Sequence, residues 1–557
     1  MPNLAARLRD HAARFPEKPA VILCRGPGKS GQLRIASHSF AELERDSDAA
    51  ARGLLAAGVG RGCVTLVMLR PSFAFFSCFF ALLKIGAVPA LIDPGMGVAR
   101  LLECVRRLAP AALVGVPAAH LVRLLRPGCF PGLRTAVTVG RRWLWGGQSW
   151  ERLRRFDSAP FPLAGMGDGD LAAILFTTGS TGPAKGVEYT HAALGRQIDI
   201  LSWTFGITPE DRDAAAFPGF SLFSIALGMT AVVPDLDPTR PGQVHPPNII
   251  APIRELGCTF SFGSPTLWDR VSAYAERGGV RLPSLRRVVM AGAPIPAVVH
   301  RRLLGGTLPP EGGTFTPYGA TEVMPAACLD GREALAETAG LTLAGRGVCV
   351  GRPVPEVRVE IIRIDDGPIP EWDAALLAPP GEIGEIVVLA DHASRHYHRL
   401  PAADALAKIA DGGRFWHRMG DVGWLDGKGR LWFCGRKSHR VRTPAGDLFT
   451  VCCEAIFNQS PEAARSALIG LPGADGFAKP ALVVEPIRKI PRPARRAAAD
   501  ALFRLGQANQ LTRDIRLLFF HPRLPTDIRH NAKIRREDLA IWAAGRLREG
   551  FRLTSGL

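Results

Sequence analysis

The run Leu171-Ala172-Ala173-Ile174-Leu175-Phe176 leads directly into Thr177-Thr178-Gly179-Ser180-Thr181-Gly182-Pro183-Ala184-Lys185-Gly186. The first six residues are apolar and read as a buried strand. The ten that follow hold three glycines, four hydroxyl side chains and one lysine. Glycine lets backbone N–H groups approach an anion, hydroxyls donate to phosphate oxygens, and lysine adds positive charge. This is not a Walker A loop, in which the lysine directly follows glycine and precedes Ser or Thr. Here Lys185 follows Ala184 and precedes Gly186. A helix is predicted from His191, and strand, loop and helix in that order is the setting a phosphate site needs. A flexible turn of small residues is the plainer alternative, and that setting speaks against it.

The same alternation extends in both directions. Phe40 to Gly58 reads as an amphipathic helix closed by glycine. Val64 to Leu69, Ala87 to Ile92, Ala111 to Val116, Thr259 to Phe262 and Arg287 to Met290 read as buried strands with helices between them. That pattern implies crossover units and a parallel sheet. Near Gly381 the texture changes. Glu385 to Leu389, Gly423 to Leu425 and Arg430 to Cys434 are short apolar runs among glycines, which suggests antiparallel hairpins. A smaller unit follows Arg436, with strands near Ala467 to Ile469 and Ala481 to Val484 and a helix near Ala497 to Leu505. The expected fold class is α/β. A large N-terminal domain of packed sheets with helices, residues 1–436, is followed by a small mobile C-terminal α/β lid, residues 437–557.

Composition narrows the functions. Of 557 residues, 47% are hydrophobic and 22% charged, as in an ordinary folded protein. The excess of Lys and Arg over Asp and Glu gives +18. Such a surface attracts nucleic acid, anionic membrane or acidic partners. No zinc-finger spacing, RNA-binding aromatic signature or long basic run supports nucleic acid, so that reading rests on charge alone. The 11 cysteines contain no CxxC and suggest a reducing, cytoplasmic setting. No apolar signal core opens the sequence. Phe73 to Leu83 is strongly apolar but shorter than the ~18 residues a membrane span needs, so it reads as a buried helix.

Further motifs follow the glycine-rich loop in a fixed order. They are Phe217-Pro218-Gly219-Phe220-Ser221, Ala291-Gly292-Ala293-Pro294, Thr316-Pro317-Tyr318-Gly319-Ala320-Thr321-Glu322, Gly351-Arg352-Pro353, Trp416-His417-Arg418-Met419-Gly420-Asp421, Gly435-Arg436-Lys437-Ser438 and Asn531-Ala532-Lys533. Each alone is modest evidence. Together, in order and spacing, they resemble the adenylate-forming superfamily of acyl-CoA synthetases, peptide-synthetase adenylation domains and luciferases. The departures are Met419 where Thr is usual, Ser438 where an acid or Lys is common, Asn531-Ala532 before Lys533 where Thr-Gly is usual, and no histidine in the Phe217 motif.

The resemblance implies ATP and Mg²⁺ as cofactors and formation of an acyl-adenylate with release of pyrophosphate. It assigns Lys533 to bridge the carboxylate and α-phosphate, Glu322 to hold the metal, and Thr321 to hold phosphate. Thr177, Thr178, Gly179, Ser180, Thr181, Gly182 and Lys185 would cradle the phosphates. Gly292, Ala293, Pro294, Tyr318 and Gly319 would flank adenine, and Asp421 with Arg436 would take the ribose. For an acyl pocket, Phe217, Phe220, Phe223, Phe262, Trp268 and Met324 are the expected apolar lining.

The acid is suggested by further segments. Ala226 to Pro234, Asp235-Leu236-Asp237-Pro238-Thr239-Arg240-Pro241 and Lys437-Ser438-His439-Arg440-Val441 are similar to the β-lactone-forming branch that serves bacterial long-chain olefin synthesis. By that resemblance the substrate is a 2-alkyl-3-hydroxy fatty acid whose own hydroxyl displaces AMP. His191 is a candidate base for that hydroxyl. No carrier-domain serine signature is found, and the stretch Gly446 to Glu454 departs from the acyl-CoA synthetase pattern. A long-chain acyl-CoA synthetase remains the alternative, and a non-catalytic nucleotide-binding scaffold a second. Expected partners are the fatty acid, other enzymes of the olefin pathway and an anionic lipid surface, with neither nucleic acid nor a transmembrane segment.

Overall fold

The computed structural model describes residues 3–27, 33–176, 184–473, 476–526 and 534–553. Among these residues the strands join into sheets of 14, seven, four and two strands. The seven-stranded sheet runs, edge to edge, through Gln148–Ser149, Thr135–Thr138, Ala112–Gly115, Val64–Met68, Val88–Leu91, Leu171–Phe176 and Gly186–Thr190. All its neighbours are parallel except the last pair. The 14-stranded sheet has two characters. Its parallel half contains Pro19–Pro27, Thr230–Val233, Arg212–Ala214, Phe260–Gly263, Arg287–Met290 and Gly313–Ala320. From Gly313–Ala320 onward its pairs are antiparallel. The hairpins read from the sequence near Gly381 therefore extend one long sheet.

Helices Phe40–Ala56, Phe73–Lys84, His191–Phe205 and Pro218–Ala226 share one core with inward-facing residues of both large sheets. They form a middle layer. Pro247–Glu255, Pro265–Gly278 and Ala297–Arg302 cover the outer face of the larger sheet, and Val98–Leu108 that of the smaller. The result is a five-layer α/β stack. Near-continuous apolar strands suit it, because parallel strands in such a stack are covered on both faces. The four-stranded sheet lies wholly within 463–552. Thr450–Phe457 and Arg495–Gln507 pack on one of its faces and Arg536–Ala544 on the other.

Phe73–Lys84 explains why an apolar run need not be a membrane span. Ser72 caps it by accepting from the Phe75 amide, and every residue from Phe75 to Lys84 is buried. Among the described residues no helix is long and apolar enough to cross a membrane. The helix ends on a fully buried charge. Lys84 Nζ lies 2.6 Å from Asp48 Oδ1 and 2.8 Å from Glu44 Oε2, both on Phe40–Ala56. The buried Lys84 and Asp48 are thus desolvated together, with the less buried Glu44 shared between Lys84 and Arg9, and they pin the two helices of the middle layer.

All 11 cysteines are free, and Cys452 and Cys453 are both buried on Thr450–Phe457.

Lys84→Met should destabilise the protein by about 3–5 kcal/mol, because it takes the short ammonium partner from the buried Asp48 carboxylate, while Glu44 keeps Arg9 at 3.2 Å. Adding Asp48→Asn should restore most of that loss. Urea unfolding checks both, and a Lys84→Met chain as stable as the parent would show that the pair is not desolvated.

Candidate functional site

The site is built on one hairpin. Strand Gly313–Ala320 pairs antiparallel with Val323–Asp330, and Ala320 faces Val323. Thr321 and Glu322 are therefore the two residues of a tight turn. Gly319 has no room for a side chain, since a Cβ there would stand 2.4 Å from the Val323 carbonyl oxygen. The Gly351 landmark is equally constrained: with φ +86° it lies against the Cys328 carbonyl, 1.8 Å from an added Cβ. Glycine is required at both places by close backbone approach.

The hairpin presents Tyr318 on one side of the turn. Tyr318 Oη donates to Asp421 Oδ2 at 2.7 Å. Asp421 lies on Arg414–Leu425, directly across from Arg436 on Leu431–Arg436. Arg436 Nη1 approaches Asp421 Oδ1 to 3.0 Å. Burial, with the Asp421 carboxylate beside it, raises the Tyr318 phenol well above its ordinary range. Tyr318 is thus a neutral donor, and Asp421 an acceptor that also pairs with a guanidinium.

On the other side, Glu322 Oε1 accepts from Tyr397 Oη at 2.6 Å. Tyr189 Oη donates to the Thr321 carbonyl. Lys185 Nζ lies over the Tyr397 ring, 4.6 Å from its centroid. Tyr397 is tied to the end of the glycine-rich loop, because it bridges Val187 and the His398 amide donates to the Gly186 carbonyl at 2.7 Å. Behind it, Lys408 Nζ sits 3.1 Å from His417 Nδ1. Burial pushes the Lys408 ammonium down to about 7, against the pull of Glu322 and Asp404. Tyr397, Lys408 and His417 were not singled out as a group by sequence. His417 belongs to a recognised motif, but Tyr397 stands in a stretch without periodicity, and no local signal marks it.

These groups open into one cavity of about 1740 Å³. Its walls include Gly292, Ala293, Pro294, Tyr318, Gly319, Thr321, Glu322, Lys185, Asp421 and Arg436, which brings the described nucleotide-motif residues together. Phe217, Phe220, Phe223, Phe262 and Met324 line its apolar part. Phe220 and Phe262 stack, with centroids 4.3 Å apart and planes within 5°. Phe75, Phe79 and Phe80 add three rings from the middle helical layer. The apolar pattern of that helix announced burial, not a cavity wall. Gln197 projects into the same wall. Its Nε2 donates to the Met324 carbonyl at 2.6 Å, while among the described residues its buried Oε1 has no partner. Asp235 to Thr239 also line the cavity, so the proline-rich loop read from the sequence belongs to the site.

Two expectations are corrected. Trp268 does not line the cavity. It is fully buried in the core under the outer helices, with its indole against Gly263. Its helix, Pro265–Gly278, lies outside the sheet, and an apolar residue has no sequence mark for which face it covers. His191 is not at the cavity either. It opens helix His191–Phe205 and accepts from the Leu4 amide at Nδ1, 3.1 Å away. It holds the N-terminal segment and is no base for substrate. Thr177, Thr178, Gly179, Ser180, Thr181, Gly182 and Lys533 lie outside the described residues. Ile534 and Arg536, just beyond Lys533, line the cavity, and Arg536 Nη2 pairs with Glu454 at 2.7 Å.

The segment after Arg436 is strapped to the sheet. Lys437 Nζ is 2.9 Å from Glu385 Oε1, and Glu385 also receives Arg418 at 2.7 Å. Arg440 reaches Asp366 at 2.7 Å and Asp447 at 2.9 Å.

Gly319→Ala should lower turnover by about a hundredfold, because relieving the Val323 contact displaces Thr321 and Glu322 together. Steady-state kinetics beside a melting curve checks this, and a mutant with unchanged turnover would show that the turn tolerates the shift. The buried imidazoles of His191, His300 and His392 make a second prediction. Burial lowers each to about 4. The native state therefore refuses protons that the unfolded chain accepts below about pH 6.5. Their contribution to stability is complete above that pH and is lost as pH falls toward 4. The melting temperature should drop between about pH 6.5 and pH 4.5, and a flat profile there would overturn the assignment.

Comparison with known proteins agrees with this geometry. Residues 8–398 match the family model described as AMP-binding enzyme. The olefin beta-lactone synthetase of Stenotrophomonas maltophilia is 44% identical over 98% of both chains. That of Xanthomonas campestris pv. campestris is 44% identical over 97% of both. The amide bond synthetase McbA of Marinactinospora thermotolerans shares the fold, with a TM-score of 0.76 over 97% of this chain and 100% of its own at 22% identity. The motifs that flank the cavity, the match along most of the chain and the shared fold lead to one conclusion: the chain belongs to the AMP-binding, adenylate-forming family of enzymes.

Proposed function

We propose that this enzyme uses ATP to adenylate a long-chain 2-alkyl-3-hydroxy fatty acid and then closes it to a β-lactone, releasing pyrophosphate and AMP. The observation that carries the reading is near-full-length 44% identity to relatives named olefin beta-lactone synthetases, together with an apolar cavity continuous with the nucleotide motifs.

In the first step a carboxylate oxygen attacks the α-phosphorus, and the bond to pyrophosphate breaks. Positioning and charge stabilisation supply most of such a barrier reduction. Tyr318, Gly319 and Gly292 to Pro294 flank adenine. Asp421, held by Arg436 and Tyr318, accepts the ribose hydroxyls. The loop Thr177 to Gly182, with Lys185 and Thr321, holds phosphate oxygens, and Lys533 bridges carboxylate and α-phosphate. Glu322 suits Mg²⁺, a hard ion usually held by one or two carboxylates with substrate phosphates. Among the described residues no cluster of three or more His, Cys, Asp or Glu offers an all-protein cage, which fits a single carboxylate shared with phosphate. When bound, the ion supplies charge neutralisation at the phosphates.

In the second step the substrate's 3-hydroxyl oxygen bonds to the acyl carbon, the acyl–AMP bond breaks, and the hydroxyl proton passes to the phosphate of the departing AMP. Confinement places the hydroxyl near its target. Gln197, which lines the cavity with its Oε1 unpartnered among the described residues, would accept a hydrogen bond from that hydroxyl and orient it. We take residues 1–436 as the adenylation domain and 437–557 as a lid that pivots at Gly435 to Ser438 and brings Lys533 to the site, as in other lid-gated enzymes. Olefin-pathway enzymes are the expected partners.

The test incubates purified enzyme, Mg-ATP and a long-chain 2-alkyl-3-hydroxy acid with and without CoA, with products followed by NMR and mass spectrometry. A β-lactone with stoichiometric AMP, independent of CoA, is expected. A thioester formed only with CoA would make the enzyme an acyl-CoA synthetase, and no AMP at all would mean that the acid is a different one or that the chain is a binding relative, which a panel of plain fatty acids separates. Lys533→Ala and Glu322→Gln should each lower AMP release by at least about a hundredfold. Gln197→Leu should lower lactone yield more than adenylate formation, measured as pyrophosphate exchange, and an equal loss of both would remove it from the second step.

A further inference from the structure

Between Glu103 and Glu151 the chain carries seven arginines and no aspartate or glutamate. This stretch folds as strand Ala112–Gly115, helix Pro117–Leu125, strand Thr135–Thr138 and the loop 139–147. The helix has two apolar faces. Ala118, Ala119 and Val122 line the cavity, with Val116 just before them. Leu121, Leu124 and Leu125 point away from it and are more than half exposed. Beside them, Trp143 is 62% exposed and Leu144 fully so.

These side chains are held outward by specific contacts. The Trp145 ring stacks on His120 of the helix at 5.8 Å. Trp145 Nε1 donates to Thr138 Oγ1 at 3.1 Å, and its carbonyl accepts from Arg123 Nη2 at 2.7 Å. Trp143 then stacks on Trp145 at 5.7 Å. Helix and loop thus form one rim, with leucines and tryptophan at the crest and Arg123, Arg126, Arg141 and Arg142 around it. Isolated exposed leucines are ordinary, but a contiguous apolar crest is not. Tryptophan favours the membrane–water boundary, leucine the acyl region below it, and arginine the phosphates. One sign of charge across the whole stretch matches an anionic bilayer better than a protein surface of mixed charge.

We infer that helix Pro117–Leu125 and the loop 139–147 dock the enzyme on an anionic lipid bilayer, with the wall of the acyl cavity facing the membrane. The inference stands on this rim and holds whichever long-chain acid the enzyme takes.

The test sediments the full chain with vesicles of phosphatidylcholine alone or mixed equally with phosphatidylglycerol. Binding to the anionic vesicles and its loss as salt rises are expected. Trp143→Ser with Leu144→Ser, and separately Leu121→Ser with Leu125→Ser, should each weaken binding by about tenfold or more. The first pair should leave AMP release from a water-soluble acid unchanged, since neither residue lines the cavity. Failure to bind either vesicle, or undiminished binding by both variants, would overturn the inference. A parent dimer that the variants abolish would overturn it too, by giving the crest to a second copy of the chain.

Discussion

A two-residue turn governs the geometry of this enzyme. Thr321 and Glu322 can occupy it only because Gly319 lets the chain close against Val323. The turn is also where the long sheet changes from parallel to antiparallel pairing. One hairpin therefore fixes the spacing between the Tyr318–Asp421 pair and the Glu322–Tyr397 pair. Each pair consists of a phenol donating to a buried carboxylate. Such charge-assisted bonds are short and directional, and they leave the carboxylates oriented before any ligand arrives.

The cavity follows from how the layers meet. Two large sheets enclose a helical layer whose phenylalanines Phe75, Phe79, Phe80, Phe220 and Phe223 line the space. Phe220 lies flat on Phe262 and close to Phe260, so the rings build a smooth wall instead of interdigitating. The polar end of the same space is closed by the strap of Lys437 and Arg440 onto Glu385 and Asp366. Glu385 is fully buried between Arg418 and Lys437 and gains stability only while both cations stay in place.

Much of this was readable in advance, for identifiable reasons. Strands buried on both faces are continuous apolar runs, so Leu171–Phe176 and Arg287–Met290 were located to the residue. Motif residues such as Tyr318 and Asp421 are recognisable because a ligand-facing backbone permits few sequences. Apolar side chains carry no such mark. Trp268 and Phe79 look alike in sequence, yet one seals the outer core and the other faces the cavity. Their roles depend on which side of a sheet a crossover passes, a tertiary fact. His191 misled for a related reason: a histidine opening a helix beside a phosphate loop can serve the fold, and its bond to Leu4 spans 187 positions of sequence. Tyr397 was invisible because its importance comes from a bridge to Val187 across the chain.

The cavity's two ends hang on different parts of the molecule. Its polar end is carried by the hairpin and the strands it pairs with, while its apolar end is carried largely by side chains of the middle helices, Phe75, Phe79, Leu201 and Phe205 among them. A substituted ring on those helices alters the apolar end of the space at residues that lie outside the hairpin and the strands it pairs with. The polar and apolar ends of the cavity are thus carried by separate elements of the fold. A change of ring size in the helical layer would reshape the apolar end and leave the hairpin pairs Tyr318–Asp421 and Tyr397–Glu322 where they are.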